Sequence, residues 1–168
     1  MTLKSLAYKK VLVLKMSASL FEAAKAMENR NVGCALVSDG KGQITGLVTD
    51  RDIACRGIGA RMGASDKIGD LVKSDLIYIG ENRSLIEATH LMQHFGIRRL
   101  PVIKASTSGK NKCIGILSFD DLVFSGVVSL DELAEIIRSQ LVKTKKKTNK
   151  KMELFFLPKE LQPITTSI

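Results

Sequence analysis

Tryptophan is absent, tyrosine occurs twice, and aromatic residues make up 5% of the 168-residue chain. So little aromatic surface argues against a nucleic-acid platform that stacks bases on exposed rings. Cysteine occurs three times, at Cys34, Cys55 and Cys113, with no CxxC pair. The odd count and wide spacing argue against a disulfide framework or a zinc cluster and fit buried or indifferent thiols. No apolar run approaches the ~18–20 residues of a membrane span. The apolar patch at 11–14 is too short for a signal-peptide core, and no small-residue cleavage pattern follows it. A cytoplasmic protein is expected. No serine, cysteine or carboxylate pair stands beside a matching base, so catalysis is not expected.

What is present is a hydrophobic fraction of 45%, enough for a core, and a net charge of +9. Six of those nine net charges come from Lys143, Lys145, Lys146, Lys147, Lys150 and Lys151, which have no acid among them. The basic character thus belongs to one segment. A run of this kind is a solvated linker or a docking element for an acidic partner, an anionic membrane surface or nucleic acid.

The chain also repeats itself. Ser19, Leu20, Glu22, Ala23, Met27, Val32 and Val37 recur 65 residues later as Ser84, Leu85, Glu87, Ala88, Met92, Ile97 and Val102. Beyond a loop longer in the second copy, Gly46-Leu47-Val48-Thr49-Asp50-Arg51-Asp52-Ile53 matches Gly115-Ile116-Leu117-Ser118-Phe119-Asp120-Asp121-Leu122. Ser19 with Glu22, and Ser84 with Glu87, are capping boxes that start an amphipathic helix in each copy. Short apolar strands are expected at 11–14 and 76–79, at 34–37 and 100–103, and at 44–48 and 113–117. The turns between the last two of each set are rich in Gly, Ser and Asn. Each copy therefore reads strand, helix, strand, strand, helix, an α/β class of fold. One copy of ~60 residues has a marginal core, and two together close it. A third capping box, Ser129 with Glu132, opens a C-terminal helix. The expected divisions are 1–66, 67–127, a helix at 128–142 and a basic tail at 143–168.

These residues resemble the CBS domain pair, or Bateman module, over about residues 8 to 126. The resemblance rests on Gly46 to Ile53 in one copy, and on Gly96-Ile97-Arg98-Arg99-Leu100-Pro101-Val102 with Gly115 to Leu122 in the other. It implies two strand–helix units packed with pseudo-two-fold symmetry, and clefts that take AMP, ADP, ATP or S-adenosylmethionine. It also implies a regulatory role with no required cofactor, and a homodimer. A protein partner would be met through the C-terminal helix and tail. The rival is an interaction module that binds no nucleotide.

In each copy a hydroxyl and a carboxylate meet at one strand-to-helix corner: Thr49 with Asp52, and Ser118 with Asp121. The carboxylate suits the hydroxyls of a ribose, and the hydroxyl suits ribose or phosphate oxygens. The same residues also suit a plain helix cap, and the two roles are compatible. Arg98 and Arg99 suit phosphate, which guanidinium grips through parallel hydrogen bonds; copy one has Gly33 and Cys34 there, so the two sites are expected to differ. Arg51 is a further phosphate candidate. Val13, Val32, Ile79, Ile97 and Pro101 are candidates for an apolar adenine slot, each also a candidate for the core. His90 and His94 lack an obvious third metal ligand. The glycine-rich stretch at 57–63 has the wrong spacing for a phosphate loop and reads as the turn ending copy one.

Overall fold

The computed structural model describes residues 2–7, 11–72, 76–104 and 112–142. The lysine run, with the rest of the basic tail, and the loop between the second copy's last two strands lie outside them. The described residues form two compact units, one within 11–76 and the other from residues 2–7 together with those between 77 and 142.

In the first unit β1 (Val13–Lys15), β2 (Cys34–Ser38) and β3 (Ile44–Thr49) form a sheet in that order, β1 parallel and β3 antiparallel to β2. In the second, β4 (Ile79–Gly80), β5 (Arg99–Lys104) and β6 (Lys112–Ser118) repeat the arrangement. Register shifts fall between Val37 and Ser38 in one and between Val102 and Ile103 in the other. The irregularity is thus part of the repeat.

Helix α2 (Leu20–Arg30) and helix α4 (Leu85–Phe95) link the first two strands of each sheet. Both start in full capping boxes: Glu22 N–H bonds Ser19 Oγ at 3.1 Å, and Glu87 N–H bonds Ser84 Oγ at 3.1 Å. Each glutamate in turn accepts from the serine's own N–H. Both stop at a left-handed residue, Asn31 and Gly96, again 65 positions apart. After β3 the chain makes a helical turn, α3 (Asp50–Asp52), that widens into a π-helical segment at Ile53–Gly57. The glycine-rich stretch that follows is a 3₁₀ turn, Ile58–Ala60, closed by Arg61 at φ 64°. After β6 the chain instead forms a regular helix, α5 (Phe119–Ser125).

The first core gathers Leu12, Leu20, Ala23, Met27, Val37, Val48, Ile68 and Leu71. Ile68 and Leu71 come from the linker that leads to the second copy. It is tied down by Ile68 N–H to Ala18 O at 2.8 Å and Gly69 N–H to Met16 O at 3.0 Å. A Cβ on Gly69 would stand 2.8 Å from Met16 O, so only glycine permits this approach.

The second core draws in two elements from outside the repeat. Helix α6 (Leu130–Val142) lays Leu133 and Ile136 against it, and Gln93 on α4 donates to Glu132 O at 3.0 Å. Helix α1 (Leu3–Ala7), which precedes the first repeat in the chain, buries Leu3 and Ala7 in the second repeat's core and packs on β6.

Candidate functional site

The two strand-to-helix corners have the same backbone. Thr49 (φ −114°, ψ 162°) and Ser118 (φ −103°, ψ 162°) end their strands extended and cap the helix that follows. Each hydroxyl donates to a carboxylate oxygen three residues on, at 2.7 Å to Asp52 Oδ2 and 2.7 Å to Asp121 Oδ2. The same oxygen accepts the N–H of Thr49 at 3.1 Å and of Ser118 at 2.8 Å. In this structure the hydroxyl proton is used locally, in the cap role the sequence also allows. What each corner presents is a carboxylate whose direction is fixed by the residue that caps the helix.

The corners then diverge. At the first, Asp52 Oδ1 also accepts from Arg56 Nη1 at 3.1 Å, one helical turn on. At the second, the corresponding residue is Ser125, whose hydroxyl donates to Leu122 O. Arg99 lies directly across the ladder from Ser118, so their side chains share a face; at the first corner Cys34, which is buried, lies across from Thr49. Arg98 is exposed, and its carbonyl accepts from Phe119 N–H at 2.9 Å, as Gly33 O does from Asp50 N–H at 3.2 Å. The second corner thus brings Asp121, Ser118 and Arg99 together, with the backbone of Arg98 beside them. The first brings Thr49, Asp52 and the exposed Arg51 together, with Arg56 already on the carboxylate.

The apolar candidates divide. Val13 and Val32 are exposed, and Ile97 is half-buried against the second core. Ile79 is 1% exposed and faces that core, and Pro101 is buried opposite Ile116. Ile79 and Pro101 are core residues first, and Val13 and Ile79 are not equivalent. Val102 pairs with Ile79, whereas its counterpart Val37 pairs with Leu14. The residue matching Val13 is therefore Tyr78, and a slip of one residue along a strand reverses the face. Cys34 is buried, Cys55 is exposed, and burial pushes the Cys113 thiol up. His94 meets Phe95 edge-on at 4.8 Å. Among the described residues, no three His, Cys, Asp or Glu side chains cluster as a metal site. No helix among them is long and apolar enough to cross a membrane.

A groove of about 520 Å³ lies elsewhere in the second unit, lined by Lys4, Glu81, Arg83, Ser84, Ile86 and Val127 among others. It includes none of the corner residues. Lys4 Nζ lies 3.5 Å from Glu81 Oε2 at its wall.

Comparison with known proteins agrees with this architecture. The CBS domain model matches the chain twice, at residues 3–56 and 68–128, and the chain belongs to the CBS domain family as a tandem pair. The protein YlbB of Bacillus subtilis is 37% identical over 108 residues, which cover 64% of this chain and 70% of that one. A crystal structure of a CBS domain protein from Thermoplasma acidophilum superposes with a TM-score of 0.74 at 19% identity, covering 84% of this chain and 76% of the other. A CBS domain protein of Pyrobaculum aerophilum, solved in complex with AMP, gives a TM-score of 0.64 at 21% identity, covering 82% and 99%.

Proposed function

We propose that this chain is a regulatory, non-catalytic CBS-pair protein that binds an adenine nucleotide. The ribose lies on the corner carboxylates, and the phosphate is held by Arg98 and Arg99. The observation that carries this reading is the second corner, where Asp121 is held in place by Ser118 and Arg99 stands across the strand from that serine. Fixed acceptors and a guanidinium on one face suit the two polar ends of a nucleoside monophosphate. The AMP bound by the Pyrobaculum aerophilum protein makes AMP the first ligand to try.

The test is thermal stability of the full chain with AMP, ADP, ATP, S-adenosylmethionine, GTP and no addition. A ligand at about 100 times its dissociation constant adds ~2.7 kcal/mol, or roughly 5–10 °C. A shift with an adenine ligand that Asp121→Ala removes supports the reading. No shift with any of them sinks it and leaves the nucleotide-independent interaction module.

A further inference from the structure

The groove beside α1 holds a charged group that its own turn does not need. Glu81 opens the turn between β4 and α4: its N–H donates to Ile103 O at 2.9 Å, and Arg83 N–H donates to Gly80 O at 3.1 Å. At the matching place in the first copy, Met16 N–H donates to Ser38 O at 2.9 Å and Ala18 N–H to Lys15 O at 2.9 Å. The same turn therefore closes with Met16 and Ala18 in one copy and with Glu81 and Arg83 in the other. Yet the Glu81 side chain is only 13% exposed, and its buried Oε2 has no hydrogen-bond partner among the described residues. Lys4 Nζ, 3.5 Å away, supplies charge to that oxygen without a hydrogen bond. A carboxylate oxygen taken out of water is costly unless a donor meets it.

We infer that the groove takes a small zwitterion, an α-amino acid with an aliphatic side chain. The ligand's ammonium donates to Glu81 Oε2. Lys4, a flexible side chain that is 55% exposed, swings from that oxygen to the ligand's carboxylate. Charge stays balanced, because the acid and the base of the groove meet the base and the acid of the ligand. Arg83 is already bonded to Glu87 Oε1 at 3.1 Å, so the exchange falls to Lys4. The apolar lining receives the aliphatic side chain: Ile86 and Val127 are 56% and 55% exposed there, beside the buried Leu3 and Leu85. The volume of about 520 Å³ falls within the ~300–1,000 Å³ of small-molecule sites. None of the corner residues lines the groove, so the inference stands apart from the nucleotide reading.

Amide chemical shifts of the full, nitrogen-labelled chain test it, with L-leucine added to about 10 mM. Saturable shifts are expected at Glu81, Arg83 and Ile86, with a Kd below about 1 mM. Isocaproate, which lacks the ammonium, and isopentylamine, which lacks the carboxylate, should each bind at least about tenfold more weakly. Glu81→Met, which gives the second turn the residue of the first, should keep the far-UV circular dichroism spectrum and lose the response to leucine. Lys4→Met should weaken leucine about tenfold. A wild type whose shifts do not move up to the top concentration overturns the inference. So does isocaproate binding as tightly as leucine, a comparison that needs no variant, and so does a Glu81→Met chain that binds leucine as the wild type does. Shifts at Arg99 and Asp121 in place of the groove overturn the location.

Discussion

Helices α2 and α4 begin with the same serine–glutamate box and stop at equivalent left-handed residues, yet they bury different surfaces. On α2 the buried residues are Leu20, Ala23 and Met27; on α4 they are Leu85, Ala88, Thr89, Leu91 and Met92. Ala24 and Ala26, exposed and half-buried on α2, stand where α4 has buried Thr89 and Leu91. The cause is α6, which packs along α4. Thr89 is tolerated in that apolar setting because its hydroxyl donates to Leu85 O at 2.9 Å, back along its own helix. Repeated local signals set the helix and its ends, and a neighbour outside the repeat sets how much of it becomes core.

The largest effect should come from removing that neighbour's grip. Ile136→Ala leaves a cavity at a fully buried position and should cost about 2–5 kcal/mol, lowering the melting temperature by roughly 5–15 °C. A thermal melt within about a degree of wild type would show that α6 adds nothing to the second core.

Next comes the difference between the corners. Arg99→Cys gives the second corner the side chain of the first and should weaken AMP binding by about tenfold or more, from the loss of a charge-assisted contact. Asp52→Ala should change it by less than about threefold, because Arg56 already holds that carboxylate. Titration calorimetry reads both, and equal losses would mean that the corners are functionally alike.

The smallest effects test where the repeats should agree. Ser19→Ala and Ser84→Ala should each cost about 1 kcal/mol in urea unfolding, and by similar amounts. Hydrogen bonding to the backbone N–H of Ser19 holds Glu22 below its ordinary carboxyl value of 4.5, and the backbone N–H of Ser84 does the same for Glu87. A carboxyl lowered in the folded state adds stability that is complete above that ordinary value and fades as pH falls through the lowered one. Glu22→Gln and Glu87→Gln should therefore flatten the loss of stability on acidification below 4.5. Both residues sit near the surface, so the change is small.

Most of this fold was legible because its signals are local. Each capping box and each corner lies within a few residues, and the repeat shows them twice in the same order. The face that each residue of the first strand presents was not legible. β1 has three residues and β4 two, too few for alternation to mark a face, and so Val13 and Ile79 both read as slot candidates although Val13 is exposed and Ile79 is buried. Helix α1 was missed because five residues without an acidic first turn give no start signal. Leu3, Leu6 and Ala7 do lie at helical spacing, but what buries them is far along the chain. At the corners the residue types were readable while their bonding was not. The sequence suggests a hydroxyl and a carboxylate side by side, and only coordinates reveal that the hydroxyl is already committed to the carboxylate. Arg56, four residues after Asp52, was the readable sign that the first corner is partly satisfied from within.

Helix α1 also has a consequence for how the molecule is made. Its partner strand β6 lies roughly 110 residues further on, with the whole first repeat between them. During synthesis the first repeat can collect all of its core as soon as residue 72 has emerged. The second repeat must wait for its own last strand before α1 can find its place. Local pieces thus close early in one unit, while the other depends on a contact of long sequence separation, which forms slowly. Trimming the first ten residues should therefore loosen the unit encoded last and leave its neighbour in the chain intact.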